Sequence, residues 1–428
     1  MLASFSQRPE TVVFVVLDTV RADHTSICGY ERETTPMLAE LIEAGASYTC
    51  RAYAPGTWTL PSHASFFTGL PAHEHRADNV GQRIEHDCDG LICDREGDYF
   101  IHFNGGIVRG MPRDLPTLAE KFRERGYQAV SVSSNPVVSP ATGLTRGFEV
   151  ARAPRWFSDL YGEAQVRELE RVLDQLDSDR PLFVFLNISD AHNPWDAPGG
   201  DGERLAYHLP ENDPLAAYLS GKLDPREEAE LIARVRDYYD AALRRADGVL
   251  RKELAALRSR GWLRSYRLLV TSDHGEFVGE HGLLQHGTHI WEQNQVVPLV
   301  YFDSNTRYPL KGLEGPVSAL QAYHLVLGGR LAEVPVMASG QPKYYWTEIS
   351  GGRLEPAQSA ASWSGREKLA WVNGRTARYD VVSDPLERNP LPAGELVDLE
   401  SAATWPAREV GEVDGELADM LRSLGYAE

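Results

Sequence analysis

The stretch TVVFVVLD, residues 11–18, runs seven apolar or β-branched residues straight into an aspartate. An unbroken apolar run of that length, with no polar alternation, reads as a strand buried on both faces, as in a parallel sheet covered by helices. The runs YQAVSVSS (127–134), PLFVFLNI (181–188), YRLLVTSD (266–273) and VVPLVYFD (296–303) have the same texture. Amphipathic stretches at 34–45, 61–69, 115–125, 163–177 and 226–260 separate them and predict helices. The alternation predicts an α/β fold with a parallel-rich sheet sandwiched by helices.

Several of these strands end in residues that carry chemistry. The first ends in Asp18, another in Asp273-His274, and PLFVFLNI runs into SDAHNPW, with Asp190 and His192. Ligands of open α/β sheets bind beyond the carboxyl ends of the strands, so these groups are expected at one edge. Carboxylate and imidazole are ligands for Zn²⁺, Mn²⁺ or Mg²⁺ rather than for thiophilic metals.

From about residue 340 the texture changes to short β-like pieces, KYYWTEIS, EKLAWVN and ARYDVVS, and then a closing helix, GELADMLRSLGY. This predicts a catalytic domain over 1–335 and a small antiparallel subdomain over 336–428. The segments 76–113 and 196–225 are long and aperiodic, as loops that line a pocket are.

The net charge of −19 excludes a protein that relies on general attraction to nucleic acid or to anionic membranes. An anionic substrate would need a local source of positive charge, and bound cations supply one. The N-terminal apolar run, Val12–Leu17, is too short to span a membrane, and no charged region and cleavage site accompany it. The expectation is a cytoplasmic protein with Cys28, Cys50, Cys88 and Cys93 as free thiols. Nothing in the sequence demands a partner chain.

The segment APGTWTLPSHASFFTG, residues 54–69, sets Thr59 just before a helix start. Its hydroxyl suits two roles. As a cap it would accept a first-turn N–H. Beside Asp18, Asp273 and His274 it would instead be a metal-activated alkoxide, with the helix N-terminus facing the bound oxyanion. Downstream, GEHGLLQHGTHIWEQ holds His281, His286 and His289, of which His286, beside Gly287, is favoured as a ligand or as a cation facing substrate.

Taken together, VVFVVLDTVRADHTSICGYERETTPMLAELIEAGASYTCRAYAPGTWTLPSHASFFTGL (12–70) resembles the N-terminal part of the sulfatase branch of the alkaline phosphatase superfamily. VTSDHGEFVGEHGLLQHGTHIWEQNQVVPLVYF resembles its second signature, NISDAHNPW one of its loops, and YDVVSDPLERNPL with LRSLGY its C-terminal end. The resemblance implies a divalent metal on Asp18, Asp273 and His274, with Thr59 in the nucleophile position. RADH, with Arg21, Asp23 and His24, also matches a family motif, in which Arg21 and Asp23 are expected to orient the first loop, and Tyr239, Asp240 and Asp247 to pack behind the site.

One departure decides the chemistry. Sulfatases read Cys-x-Pro-x-Arg, whereas this chain reads Thr59-Leu60-Pro61-Ser62-His63. Threonine does not yield formylglycine, so the resemblance turns to relatives that use Thr or Ser directly, with His63 in the place of the oxyanion-holding arginine. Thr19 follows Asp18 where an aspartate pair is usual, which favours Zn or Mn over Ca or Mg. A second ion would draw on Asp190, His192 and His286; with one ion, His192 and His286 would contact the substrate and protonate its leaving group. The expected function is metal-dependent hydrolysis of a small anionic phosphate mono- or diester. The alternatives are a sulfuric ester hydrolase working without formylglycine, and a non-catalytic sulfatase-like binding protein.

Overall fold

A computed structural model describes residues 10–79, 92–95, 98–103, 106–154, 160–196, 204–205, 214–306, 308–341, 357–392 and 399–404. Its centre is an eight-stranded sheet. The strands are β1 (Thr11–Leu17), β2 (Ser47–Tyr53), β3 (Gln128–Ser133), β4 (Val150–Arg152), β5 (Leu182–Ile188), β6 (Tyr266–Thr271), β7 (Val296–Asp303) and β8 (Val317–Ser318), in the spatial order β8-β2-β7-β6-β1-β5-β3-β4. Neighbours pair in parallel except at β7, which runs antiparallel to both β6 and β2. The run VVPLVYFD is thus as apolar as the others but reversed, because burial on both faces sets composition and not direction.

Side chains alternate across a strand, and β1 uses both faces. Val13, Val15 and Leu17 join one core with α1 (Pro36–Glu43) and the long helices over 163–173 and 225–259, while Val12, Phe14 and Val16 join a second core with Leu60, Ala64, Phe66 and Phe67 of α2 (Thr59–Thr68). The 35-residue helix Pro225–Ser259 opens with a capping box between Asp224 and Glu227, two groups that satisfy each other's end of the chain.

Register brings the functional edge together. Leu17 lies opposite Ile188, and Val16 opposite Thr271, so β1, β5 and β6 end in step. Continued past the strand ends, that register sets Asp18 level with Ser189 on one side and with Asp273 on the other.

A second, antiparallel sheet holds β9 (Met337–Gly340), β10 (Ser359–Ser364), β11 (Glu367–Val372) and β12 (Arg375–Asp380). EKLAWVN and the start of ARYDVVS are strands there, while KYYWTEIS and GELADMLRSLGY lie outside the described residues. Buried Lys368 links this sheet to the main body, 2.7 Å from Glu387 and 3.5 Å from Glu292. Pairing offsets the heavy cost of burying such charges. Among the described residues, no helix is long and apolar enough to cross a membrane.

The expectation of free thiols fails for two of the four cysteines. Cys28 and Cys50 form a disulfide, tying the loop after β1 to β2. Their 22-residue separation hides this proximity, which arises when α1 carries the chain back to the sheet. Cys88 lies outside the described residues.

Candidate active site

Thr59 is not a cap. Helix α2 begins at Thr59, two residues before the expected start, with Trp58 as its N-cap and no side-chain cap bond. The Thr59 hydroxyl instead accepts a hydrogen bond from Asn135 Nδ2 at 3.2 Å and lies 3.5 Å from His274 Nε2. The helix boundary removes the capping reading of this residue.

Asp18, Asp273 and His274 form a compact group whose ligand atoms lie within 4.8 Å of one another, all buried. Asp18 Oδ2 accepts from Asn135 Nδ2 at 2.6 Å and from Ser189 Oγ at 2.9 Å. Asp273 Oδ1 accepts from the backbone N–H of Thr19 at 3.2 Å and of His274 at 3.0 Å. The remaining oxygens, Asp18 Oδ1 and Asp273 Oδ2, are buried without a hydrogen bond. Two orphaned carboxylate oxygens facing an imidazole in a dry site are costly unless a cation joins them. The donor set of two carboxylates and one imidazole fits a divalent metal.

The electrostatics of the metal-free protein agree. Burial and the neighbouring Asp273 charge push the Asp18 carboxyl up. Burial opposes ionisation of Asp273 as well, but His274 and His63 together pull it down to about 2. Burial lowers the His274 imidazole, yet Asp273 and Asp18 outweigh it and raise its pKa.

The tautomers follow from the acceptors. His274 Nδ1 donates to Gly275 O at 2.9 Å, His192 Nδ1 donates to Asn193 O, and His286 Nδ1 donates to Glu276 Oε1 at 3.0 Å. Each neutral ring then carries its lone pair on Nε2. His286 lies with its ring centroid 4.3 Å from that of His274 and 5.0 Å from that of His192. The three rings form one cluster over the carboxylates.

The loops are tightly held. Thr19 sits at φ 62°, a left-handed conformation uncommon outside glycine, and this directs its N–H to Asp273. Tyr239 OH donates to Thr19 O at 2.7 Å and accepts from Arg21 N at 3.1 Å. A Cβ at Gly275 would meet Gln293 O at 2.0 Å, so only glycine passes there.

Other expected residues fall elsewhere. Asp190 does not join the group: its carboxylate accepts from Arg245 Nε at 3.2 Å and from Gly162 N at 3.3 Å. Asp190 stands one residue further past its strand end than Asp18 does, and that step turns its side chain to the other face. His63 is fully buried, donating through Nδ1 to Thr59 O at 2.9 Å, 3.6 Å from Asp273 Oδ2 and edge-on to Phe66, Phe67 and Phe185. Burial lowers its pKa, against the pull of Asp273 and Asp18. It lies behind Thr59 and Asp273. Arg21 is engaged by Asp23 and Glu280, and His24 by Asp240, so both orient the first loop. Sequence reasoning passed over Asn135 and Ser189. Asn135 and Ser189 stand past strand ends as Asp18 does, and that position was the available signal.

Residues 10–328 match the family model described as Sulfatase. The chain belongs to the sulfatase family. This sulfatase-family chain is 27% identical over 289 residues to phosphatidylethanolamine transferase Mcr-1 of Escherichia coli, covering 66% of this chain and 45% of that protein. It is 22% identical over 359 residues to an arylsulfatase of Clostridium perfringens, covering 72% and 70%. The chain spans about half the length of the first curated relatives it matches. Its fold is that of a phosphonate monoester hydrolase of Agrobacterium radiobacter, with a TM-score of 0.60, 18% identity and coverage of 97% and 95%. A putative sulfatase from Bacteroides thetaiotaomicron shares it at a TM-score of 0.63 and 14% identity, covering 96% of each chain.

Proposed function

We propose that this protein is a metal-dependent hydrolase of a small anionic phosphate mono- or diester, with Thr59 Oγ1 as the nucleophile. The observation that carries the reading is the Thr59 hydroxyl, excused from capping and 3.5 Å from His274 Nε2 beside the orphaned oxygens of Asp18 and Asp273. A divalent cation held by Asp18, Asp273 and His274, with Zn or Mn favoured, supplies positive charge that acidifies the hydroxyl and neutralises the ester.

The chain's own groups do the rest. Asn135 Nδ2 holds Thr59 Oγ1 and Asp18 in one geometry. Thr59 Oγ1, having lost its proton to solvent beforehand, forms a bond to phosphorus as the bond to the leaving alcohol breaks, and protonated His286 or His192 gives that alcohol its proton. Water then displaces Thr59 from phosphorus, and the same histidine takes the water's proton. His63 positions the first turn of α2 and Asp273 from behind.

Hydrolysis of a sulfate ester by the same residues is the second reading, favoured by the family match. Formylglycine is not available to it: threonine bears a methyl group on Cβ, so oxidation there gives a ketone and not an aldehyde.

The deciding experiment is metal analysis of the purified protein with turnover of an aryl phosphate, an aryl phosphate diester and an aryl sulfate. Stoichiometric Zn or Mn and phosphate-ester turnover, lost at least about 1,000-fold in Thr59→Ala, is the expected result. Sulfate turnover dependent on Thr59 would move the reading to the second class. Full activity in Thr59→Ala would remove the nucleophile assignment, and bound metal with no turnover would leave a binding protein.

A further inference from the structure

A cavity of about 760 Å³ lies between the C-terminal sheet and the loop that follows His286. Sites for small organic molecules are commonly about 300–1,000 Å³. Its origin is visible in the strand register. Ala338, Ala361, Ala370 and Ala377 stand opposite one another across β9 to β12, so a row of methyl groups crosses the sheet. The next row on the same face carries Trp363, Lys368 and Tyr379. Large side chains beside small ones leave a hollow over Ala370 and Ala377.

Three further features mark the hollow as built for a ligand. His289 lines it, and His289 Nδ1 is buried with no hydrogen-bond partner. Burial holds this imidazole neutral, its pKa lowered to about 4, so it serves as a hydrogen-bonding group and not as a cation. Trp291 forms a wall, stacked on His281 at 4.6 Å and met edge-on by Tyr379 at 6.1 Å. Exposed Arg375 stands at the lip, just past the tight turn between β11 and β12.

The loop that lines the cavity is tied to the segment that carries Thr59. Asn294 Nδ2 donates both to Thr57 O at 3.0 Å and to His289 O at 3.3 Å, and Thr57 is two residues before Thr59. His289 follows His286 by three residues, a reach of at most about 11 Å.

We propose that this cavity receives the alcohol portion of the ester, and that this portion is a ring with an apolar face and a hydroxyl at its edge. The inference rests on the reading of the centre as an ester hydrolase. The apolar face packs on Trp291 and the alanine methyls. The hydroxyl donates to His289 Nδ1, which otherwise stays unsatisfied, and sites that hydrogen-bond a hydroxyl reject analogues that lack it. Arg375 keeps the lip cationic in a chain of net charge −19, so the ester's own charge passes without repulsion. A fatty chain would use neither the imidazole nor the guanidinium.

The test measures kcat/KM of the metal-loaded protein for 4-hydroxyphenyl phosphate, a hexose phosphate, phenyl phosphate and ethyl phosphate. The preferred one of the first two tells an aromatic ring from a sugar. Ala377→Leu, which fills the hollow, is expected to lower the ratio of that ring ester to ethyl phosphate at least tenfold. His289→Phe is expected to erase the preference for the hydroxylated over the plain phenyl ester. It decides alone if Ala377→Leu does not fold, as judged by thermal unfolding. Unchanged ratios overturn the proposal. If the wild type hydrolyses no ester, the hydrolase reading fails, and hydroquinone and methyl glucoside are then followed by saturation-transfer NMR on both proteins. Binding weakened in Ala377→Leu upholds the cavity as a ring site, whereas equal or absent signals overturn it.

Discussion

His286 Nδ1 lies 3.0 Å from Glu276 Oε1, and both side chains are buried. Ten residues of chain separate them, yet they form one unit beside His274. The carboxylate accepts the Nδ1 proton and so fixes the tautomer and the ring's orientation.

Glu276→Gln keeps the shape and removes the charge. The expected outcome is a loss of about 10- to 100-fold in kcat, with folding unaltered. Steady-state kinetics beside circular dichroism check it, and an unchanged kcat would make the pair structural only.

Asp18→Asn should act in opposite directions with and without metal. Burial and Asp273 push the Asp18 carboxyl up, so in metal-free protein its contribution to stability falls as pH rises above the unfolded carboxylate range. Removing that charge should raise the thermal midpoint of chelator-treated protein by about 2–4 °C. The stabilisation that added Zn or Mn gives the wild type should vanish in the variant. Thermal unfolding with chelator and with metal reads both effects.

His75 predicts the shape of acid unfolding. Its Nδ1 accepts from Ala77 N at 3.0 Å, and its Nε2 contacts Pro61 O at 3.1 Å and Ser65 Oγ at 2.9 Å, which requires the neutral ring. Burial lowers its pKa to about 3. Because the folded pKa is below the unfolded one, the stability it contributes is complete above pH about 6.5 and is lost as pH falls towards 3. His75→Gln should flatten the acid limb by up to about 1.4 kcal/mol per pH unit. Denaturant unfolding at several pH values measures the slope.

The Cys28–Cys50 bond closes a 22-residue loop that begins beyond Asp18 and ends before Thr59. Replacing both cysteines with serine should cost about 3 kcal/mol of stability. Urea unfolding of the variant against oxidised and reduced wild type checks this, and equal stability in all three would show the bond adds nothing.

The α/β class, the main strands and the gathering of Asp18, Asp273 and His274 are legible in the residues alone. Those are local matters: an unbroken apolar run must be buried on both faces, and an ionisable residue at its end must emerge at the sheet edge. Tertiary structure decided what depends on direction, register and distance. The reversal of Val296–Asp303 leaves no compositional trace. Asp190 faces Arg245 and Gly162, because it stands one residue further past its strand end than Asp18 does. The Thr59 hydroxyl is free of capping because α2 starts at Thr59 with Trp58 as its cap, and Asn135, 76 residues away in sequence, donates to it from beyond a strand end. The alanine row exists only in the register of four strands, since residues that each look unremarkable make a cavity when the sheet sets them side by side.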